Sequence, residues 1–340
     1  MAAPLRGIRV VEFEGIGPAP YAGMLLADLG AEVTRIARPS AARGDLISDT
    51  GDLIMLRGRK TVTLNLKDPQ DLARARELVA AADGVIEGLR PGAMERLGLG
   101  PSEMCALNPR LVYCRITGWG QEGPLSRTAG HDINYIALSG ALALMGPAGR
   151  PPLPPANLIG DFGGGGLYAA FGLLAGLIEA MRTGRGQVID SAMLDGAASQ
   201  MAFLYAWASS GIWNRNREAN LLDGGAPFYR CYECACGGHI ALGSIEPQFF
   251  AAMMQGFGLG EEGWDQSDRN RWPAMAVRIA AVALTRTRDE WAEVFAGTDA
   301  CVTPVLDMWE VETHPHNAAR GTFEGPPTQP APGPRFRAPD

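Results

Sequence analysis

Two short segments of the sequence each place one proton-transfer group among glycine and apolar residues. His131 lies in GHDINY, residues 130–135. Asp161 lies in NLIGDF, residues 157–162, which leads into a glycine quartet. Taken alone, the histidine is explained as a hydrogen-bonded core residue and the aspartate as an N-cap before a glycine-rich helix. As a pair, an imidazole and a carboxylate in such surroundings indicate proton chemistry from two sides.

Length, composition and charge narrow the class of protein. A chain of 340 residues is too long for one typical core, so two domains are expected. A hydrophobic fraction of 46% and a charged fraction of 20% are ordinary for a folded soluble protein. The net charge of -7 argues against a general nucleic-acid binder, because such proteins carry a basic footprint.

Neither a signal peptide nor a membrane span is predicted. The N-terminal residues MAAPLRG lead directly into a strand-like run without the apolar core of a signal peptide, so a cytoplasmic location is expected. The longest uncharged stretch, residues 162–178, is shorter than the roughly 20 apolar residues that a spanning helix needs. We therefore expect a buried helix there and no membrane insertion.

The first third of the chain alternates strand-like and helix-like segments. Strands are predicted at residues 8–13, 33–36, 61–66, 85–86 and 111–116. Helices are predicted at 20–29 and 68–82, the second with Asp68 as N-cap and Pro69 in its first turn. Strand, helix and parallel strand form a right-handed βαβ unit. This alternation predicts a large α/β, Rossmann-like domain with a mainly parallel sheet.

The order of elements changes after residue 187. A strand at 188–192 precedes a long helix at 193–211, whose alanine, methionine and aromatic residues are typical of a core or a subunit interface. A smaller α+β domain is then predicted, with strands at 228–232, 239–242 and 301–305 and helices at 247–256, 273–284 and 288–296. The expected division is a large domain at 1–187, a linker helix at 188–225, a small domain at 226–312, and a return linker and tail at 313–340.

Three cysteines and a histidine lie close together in the sequence of the small domain. Cys231, Cys234, Cys236 and His239 superficially match a zinc site, but a second C-x-x-C pair is absent. Reduced, partly buried thiols in a strand and a turn are expected instead. No metal is predicted.

The turn after the first strand contains a partial dinucleotide motif. Gly15 and Gly17 match the first two glycines, but Pro20 stands at the third position. The second predicted strand ends in RIAR, residues 35–38, where an NAD site needs an acidic residue for the ribose. Arg38 could instead contact a phosphate, which leaves an NADP-dependent oxidoreductase as a minor alternative.

Seven segments in chain order carry a family resemblance. They are VEFEGIGP at 11–18, DLGAEV at 28–33, RPG at 90–92, TGWG at 117–120, GHDINY at 130–135, GDFGGG at 160–165 and IEPQF at 245–249. Together they resemble the α-methylacyl-CoA racemases of the family III CoA-transferase superfamily, over residues 5–336. Several of these segments are long, so the match is specific.

The resemblance implies epimerisation at the carbon next to a CoA thioester. It implies no metal, flavin, pyridoxal phosphate or nicotinamide, and CoA is part of the substrate. A thioester acidifies its α-hydrogen, and inversion requires one group to remove a proton while another returns one on the opposite face. The resemblance gives these roles to His131 and Asp161. It also pairs the histidine with Glu246, a carboxylate that would orient the ring and favour the imidazolium.

Asp132 has a different role in this scheme. A helix is predicted to begin just after it, so its backbone N–H would point at the enolate oxygen, where the helix dipole favours negative charge. Its side chain is expected to cap that same helix.

The resemblance spreads CoA binding over the large domain. Arg38 and Arg96 would contact phosphates, which suit the N–H groups of a guanidinium. Two segments would line the adenosine end: Leu64, Asn65, Leu66 and Lys67, and then Gly88, Leu89 and Arg90. A third segment would contact the pantetheine and the thioester: Gly130, His131, Asp132, Ile133, Asn134 and Tyr135.

The resemblance also implies an interlocked homodimer whose two domains are joined by long linkers. The active site would lie between the large domain of one subunit and the small domain of its partner. Glu246 would then reach His131 across that interface, and a monomer would be inactive.

Two other functions stay open. A CoA-transferase of the same superfamily would use Asp161 as a nucleophile that forms an anhydride with the acyl group. Such an enzyme does not require His131 with Glu246, and their joint presence favours the racemase. A non-catalytic CoA-binding paralogue would be expected to lose one of the acid–base residues, and none is lost here.

Overall fold

The structure is a computed structural model that describes residues 3–39 and 52–337, the side chains of residues 52 and 53 excepted. The chain divides into two compact units. The first comprises Met1–Ala143, Pro154–Ala202 and Gln329–Asp340, and the second comprises Leu144–Leu153 and Phe203–Thr328. The predicted domain boundaries stay a prediction.

The first unit is built on a six-stranded sheet. Its strands are β1 (Arg9–Phe13), β2 (Glu32–Ala37), β3 (Arg59–Thr63), β4 (Gly84–Glu87), β5 (Val112–Thr117) and β6 (Val188–Ala192). They lie in the order β3-β2-β1-β4-β5-β6, and every neighbouring pair is parallel. The prediction of an α/β fold with a mainly parallel sheet is therefore confirmed.

Helices connect these strands, and two more follow the last of them. They are α1 (Pro18–Asp28), α2 (Asp52–Met55), α3 (Pro69–Ala80), α4 (Ala93–Arg96), α5 (Pro101–Leu107), α6 (Asp132–Leu138), α7 (Tyr168–Thr183), α8 (Met193–Gln200) and α9 (Ala202–Ser209). A π-helix, Leu158–Leu167, leads directly into α7.

Two helix starts show how local sequence sets the boundaries. Helix α1 begins earlier than predicted, at Pro18, because Gly17 adopts a φ of 67° before it and proline suits the first helical turn. Asp68 caps α3 as predicted. Its carboxylate accepts the backbone N–H groups of Gln70 and Asp71.

Apolar side chains alternate along the strands and form a core on each face of the sheet. On one face, Val10 and Val112 pack with Leu173 of α7. On the other, Val11 and Tyr113 belong to a second cluster. Because both faces are covered, β4 and β5 are buried along their whole lengths.

The run from the π-helix through α7 is only half buried. Leu158–Thr183 is long and apolar enough to meet the criteria of length and composition for a membrane span, which a core helix of a soluble protein also meets. One side packs on the sheet, while Phe171 and Ile178 are 69% and 59% exposed. The prediction of a buried helix at 162–178 is therefore wrong for this side. An uncharged composition does not distinguish a core from an apolar surface.

The long helix predicted at 193–211 is two helices, α8 and α9, separated at Met201. Helix α8 packs against the π-helix of the first unit, and the chain enters the second unit at Phe203. No residue of α9 is buried. The two helices therefore have different surroundings, which helical periodicity does not reveal.

The second unit contains a small antiparallel sheet and several helices. Its strands are β7 (Tyr229–Glu233), β8 (His239–Gly243) and β9 (Val302–Pro304), paired in that order. Its helices are α10 (Pro247–Gly256), α11 (Trp272–Ala283), α12 (Arg288–Phe295) and α13 (Pro315–Arg320). Phe228, Trp272 and Trp291 belong to its core. The prediction of a smaller α+β domain is confirmed.

Charged side chains are buried within the parallel sheet. Glu12 of β1 and Arg59 of β3 are fully buried, with Oε1 3.0 Å from Nη1, and Arg35 of β2 adjoins the same carboxylate. Glu87 of β4 accepts a hydrogen bond from Nε of Arg115 at 2.9 Å. Ion pairs of this kind depend on residues of other strands, so the apolar pattern of any one strand does not predict them.

Removing one partner of the buried Glu12–Arg59 pair should destabilise the protein. Glu12→Ala leaves a buried guanidinium without this carboxylate, and we expect the free energy of unfolding to fall by about 3–5 kcal/mol. Glu77→Ala is the matched control, because Glu77 and Arg74 form an exposed pair on α3, worth about 0–1 kcal/mol. Urea denaturation followed by circular dichroism compares the variants, and equal losses would contradict the importance of the buried pair.

Candidate active site

His131 occupies the N-cap position of α6 with its ring exposed. Its backbone is extended, with φ of -133° and ψ of 174°. Its N–H donates to Oδ1 of Asn134 at 3.1 Å, and its carbonyl accepts the Asn134 N–H at 2.8 Å. These two contacts hold the backbone at the helix start and leave the imidazole accessible.

The carboxylate of Asp132 binds a different helix from the one predicted. Oδ2 accepts the N–H groups of Gly160 at 2.6 Å and Asp161 at 2.8 Å, in the first turn of the π-helix. The expectation that it caps its own helix is therefore wrong. The close approach requires glycine, because a Cβ at position 160 would lie 2.6 Å from Oδ2. Asp132 is 4% exposed, and its Oδ1 has no hydrogen-bond partner among the described residues.

Asp161 is a half-buried carboxyl next to a second carboxyl and an amide. Burial raises its pKa above the usual range, and the negative charge of Asp132 acts in the same direction. Nδ2 of Asn157, which donates to Oδ2 of Asp161 at 3.0 Å, and the charge of His131 oppose this effect without cancelling it. The hydrogen bond from the Asp161 N–H to Asp132, the residue after His131, joins the segments that carry the two predicted proton-transfer groups.

Asn157 was missed as a site residue by sequence reasoning. It precedes Asp161 by four residues, and side chains at this spacing meet on one side of a helix. That spacing was the available signal. The amide stabilises the ionised carboxylate and orients it.

The π-helix that carries Asp161 packs backbone to backbone against α8. A Cβ at Gly164 would lie 2.6 Å from the nitrogen of Ala197, and a Cβ at Gly196 would lie 2.0 Å from the carbonyl oxygen of Gly164. Only glycine permits this approach. π-Helical turns are rare and are frequent at functional sites.

Tyr135 extends the site along α6. Its hydroxyl donates to the carbonyl of Gly130, and its ring meets Trp119 edge-on at a centroid distance of 4.8 Å. Burial raises the pKa of Tyr135 to about 12, the charges of Asp161 and Asp132 add to the increase, and Arg90 opposes it. Tyr135 therefore lies among the acid–base groups and one of the predicted CoA-binding arginines.

The structure brings most predicted CoA contacts to one edge of the sheet. Arg38 follows β2, the segment 64–67 follows β3, and the segment 88–90 follows β4. These are the carboxyl ends of parallel strands, where ligands of open α/β sheets bind. Arg38, Arg90 and the α4 residue Arg96 are exposed there.

Not every residue of these segments presents its side chain. Leu64 is buried in the core, and Leu66 packs against the same cluster. Asn65 donates its backbone N–H to Asp71 at 2.8 Å and accepts the N–H of Lys67 through Oδ1 at 3.2 Å. The two leucines therefore shape the segment, and Lys67 is its exposed cation.

Glu246 belongs to the second unit, where it is the exposed N-cap residue of α10. Burial raises the pKa of Cys301, and the charge of Glu246 contributes to the increase. Cys301 also lines an open cavity of about 580 Å³ over the β7-β8-β9 sheet, together with Tyr229 and Arg230. The contact between Glu246 and His131 stays a prediction.

The cysteine cluster does not converge. Cys234 is buried, whereas Cys231 and Cys236 are exposed. Among the residues that the structure describes, no group of three or more histidine, cysteine, aspartate or glutamate side chains could hold a metal ion.

Comparison with known sequences agrees with the motifs. The family model described as CoA-transferase family III matches residues 5–339. The chain is 47% identical over 320 residues to the alpha-methylacyl-CoA racemase of Mus musculus and 46% identical over 320 residues to that of Homo sapiens, covering 94% of this chain and 82% of each relative. It is 29% identical over 348 residues to the succinyl-CoA:glutarate CoA-transferase of Homo sapiens, covering 95% of this chain and 77% of that protein.

Solved structures share the fold. A CaiB/BaiF family protein from Brucella suis matches with a TM-score of 0.80 at 27% identity, and Rv3272 from M. tuberculosis matches with a TM-score of 0.79 at 25% identity. Each match covers 99% of this chain and 93% of the solved chain. The family model spans nearly the whole sequence, and this chain therefore belongs to CoA-transferase family III.

Proposed function

We propose that this enzyme racemises 2-methylacyl-CoA thioesters by a two-base 1,1-proton transfer through an enolate. The observation that carries the proposal is the hydrogen bond at 2.8 Å from the Asp161 N–H to the carboxylate of Asp132, the residue after His131, which joins the segments of the two proton-transfer groups. The relatives at 46–47% identity are named alpha-methylacyl-CoA racemases, which supports the same reaction here.

The chemistry divides between the two groups. One of them, in its basic form, removes the α-proton, and the electron pair moves onto the thioester oxygen as an enolate. The other, in its acidic form, returns a proton to the opposite face of the carbon, and their roles exchange in the reverse direction. Burial brings the pKa of Asp161 closer to neutral pH, so its carboxyl is better suited to act in both forms.

The start of α6 is suited to the enolate oxygen. The backbone N–H of Asp132 is in the first turn, where N–H groups have no acceptor within their own helix. The positive end of the helix dipole adds to this donor. A fixed donor at the site of developing charge stabilises an enolate more than the neutral thioester.

The proposed assembly is an interlocked homodimer in which Glu246 of the partner subunit pairs with His131. Its support is an apolar surface on α7, which exposes Phe171, Ile178 and Met181. Soluble monomers rarely expose large apolar patches, so a second copy of the chain is the proposed cover. The pairing would complete the acid–base site only in the assembled dimer.

CoA is proposed to bind as part of the substrate along the carboxyl edge of the sheet. Arg38, Arg90 and Arg96 are exposed cations suited to its phosphates. The scheme needs no cofactor. The enzyme is proposed to act in the cytoplasm without inserting into a membrane, since half of the one candidate span in the described chain is buried in the fold.

A CoA-transferase is the second candidate. Asp161 would attack the acyl carbonyl, and one relative at 29% identity is a named succinyl-CoA:glutarate CoA-transferase. A nucleophile must be ionised, whereas burial and Asp132 favour the protonated form of Asp161. This environment suits proton transfer better.

Exchange of the α-proton for deuterium tests the reaction. In deuterated water without added cofactor, the enzyme should label the α-carbon of 2-methyldecanoyl-CoA and bring its R and S forms to equal amounts, as measured by mass spectrometry and chiral chromatography. Acyl movement to a free carboxylic acid without α-proton exchange would instead identify a transferase.

Substitution of either proton-transfer group should abolish racemisation. His131→Ala and Asp161→Ala should each lower the exchange rate by about 10²–10⁴-fold, because each removes one acid–base partner. CoA binding measured by calorimetry should persist. His239→Ala, which removes an exposed histidine of β8, is the matched control. Wild-type rates in either site variant would mean that the roles are misassigned.

Asp132→Asn should change the pH dependence of exchange. Asparagine keeps an oxygen for the N–H groups of Gly160 and Asp161 but removes the negative charge that raises the pKa of Asp161. That pKa should fall, so the limb of the pH–rate profile that belongs to Asp161 should move to lower pH in both reaction directions.

The control for this shift is Asp223→Asn in the second unit. Asp223 also binds two backbone N–H groups through one oxygen, those of Asn220 at 2.9 Å and Gly225 at 3.1 Å. It should leave the profile unchanged. An unmoved limb in Asp132→Asn, or an equal shift in the control, would refute the electrostatic role of Asp132.

A further inference from the structure

Glu14, the residue after β1, is buried beside an exposed arginine of the proposed CoA site. Its side chain is 6% exposed, whereas that of Arg38 is 59% exposed. Oε2 of Glu14 accepts the backbone N–H of Arg38 at 2.6 Å and Nε of the same arginine at 3.2 Å. Oε1 accepts Nη2 of Arg35 at 3.3 Å. One carboxylate therefore holds both the main chain and the side chain of Arg38.

These contacts leave the outer edge of the Arg38 guanidinium available. Within the described part of the chain, its two Nη atoms have no hydrogen-bond partner. Burial alone would raise the pKa of Glu14, but the hydrogen bonds from Arg38 and the charges of Arg35 and Arg38 lower it overall. Glu14 is therefore an ionised anchor at neutral pH.

We propose that Glu14 is a positioning residue that holds Arg38 in place for the nucleotide phosphates of CoA. This inference rests on the proposed function, in which Arg38 contacts those phosphates. A long side chain that moves freely must be ordered when it binds, and an existing contact reduces that entropic cost. Glu14 binds Nε and leaves the two Nη groups, which can donate to two phosphate oxygens.

The charge of Glu14 has an opposing effect, because a carboxylate near phosphates weakens their binding. Two features limit this repulsion. The charge is shared with Arg35 as well as Arg38, and Glu14 is buried while the Arg38 guanidinium is exposed. Removing the charge of Glu14 therefore decides between the two effects. Weaker CoA binding would indicate positioning, and tighter CoA binding would indicate repulsion.

If Glu14 only stabilised the local fold, its substitution would affect proton transfer rather than CoA binding. Glu14 precedes the turn at Gly15 and Gly17, and a Cβ on Gly17 would lie 3.4 Å from Oδ2 of Asp161. A disturbed turn would therefore slow proton transfer for every substrate. A positioning role affects only substrates that carry the nucleotide.

The first experiment measures CoA affinity and substrate selectivity in Glu14→Gln. We expect the Kd for CoA, from calorimetry, and the KM for 2-methyldecanoyl-CoA to rise about two- to tenfold, with kcat within about twofold of wild type. Exchange of the α-proton of 2-methyldecanoyl-pantetheine, which lacks the nucleotide, should proceed equally in variant and wild type.

The second experiment is a double-mutant cycle. Arg38→Ala should weaken CoA binding, and adding Glu14→Gln should cause no further loss, since Glu14 acts through Arg38. Glu262→Gln is the matched control, because Glu262 pairs with Arg278 at 2.7 Å in the second unit. It should leave the Kd for CoA unchanged.

The outcomes separate this inference from the proposed reaction. Unchanged or tighter CoA binding in Glu14→Gln, an additive loss in the double variant, or an equal loss with the pantetheine thioester overturns the role of Glu14. A wild-type enzyme that binds CoA but exchanges no α-proton overturns the reaction, and the Kd comparison still decides the role of Glu14. A wild-type enzyme that does not bind CoA overturns both.

Discussion

Two backbone N–H groups held by one buried carboxylate join the halves of the candidate site. Asp132 follows His131 directly, and its Oδ2 binds the N–H groups of Gly160 and Asp161. The segments that carry the two proton-transfer groups therefore share an anchor. Because the anchor is charged, it also raises the pKa of Asp161. The side chain of Asp132 thus affects both the position of Asp161 and its proton affinity.

The parallel sheet positions the residues of the proposed CoA-binding surface. Its order places β1 and β4 side by side in the middle, and ligands of open α/β sheets bind at the carboxyl ends of the strands where the strand order reverses in this way. Glu14 follows β1 and Arg90 follows β4. Buried ion pairs link strands of the sheet below this edge: Glu12 of β1 pairs with Arg59 of β3, and Glu87 of β4 pairs with Arg115 of β5. The binding surface depends on electrostatics inside the sheet as well as on its exposed arginines.

Local signals in the sequence were sufficient for much of the fold. The β-branched runs predict the six parallel strands, and proline marks α10, whose bounds Pro247–Gly256 match the prediction. Motifs also identified His131 and Asp161, whose segments the structure joins through the hydrogen bond from the Asp161 N–H to Asp132. The roles proposed for the site residues stay predictions.

Features that depend on distant contacts could not be predicted. The partner of Asp132 is 28 residues away and requires the absence of a side chain at Gly160. The break at Met201 lies two residues before the chain enters the second unit at Phe203. The exposure of Phe171 depends on what packs against α7, and amino-acid composition carries no information about that. Asn157 is the exception, since its spacing from Asp161 was visible.

The contact between Gly164 and Gly196 has a consequence for how this protein can change. Main chain touches main chain there, so no rotamer can absorb a displacement between the π-helix and α8. The location of the helix that carries Asp161 is thereby set by contact between main chains rather than by adaptable side-chain packing. Exposed apolar residues such as Leu158 and Leu167, in the same π-helix, can vary without moving it. The exposed side chains of this helix can therefore change without altering the position of Asp161, because the backbone contact fixes that position.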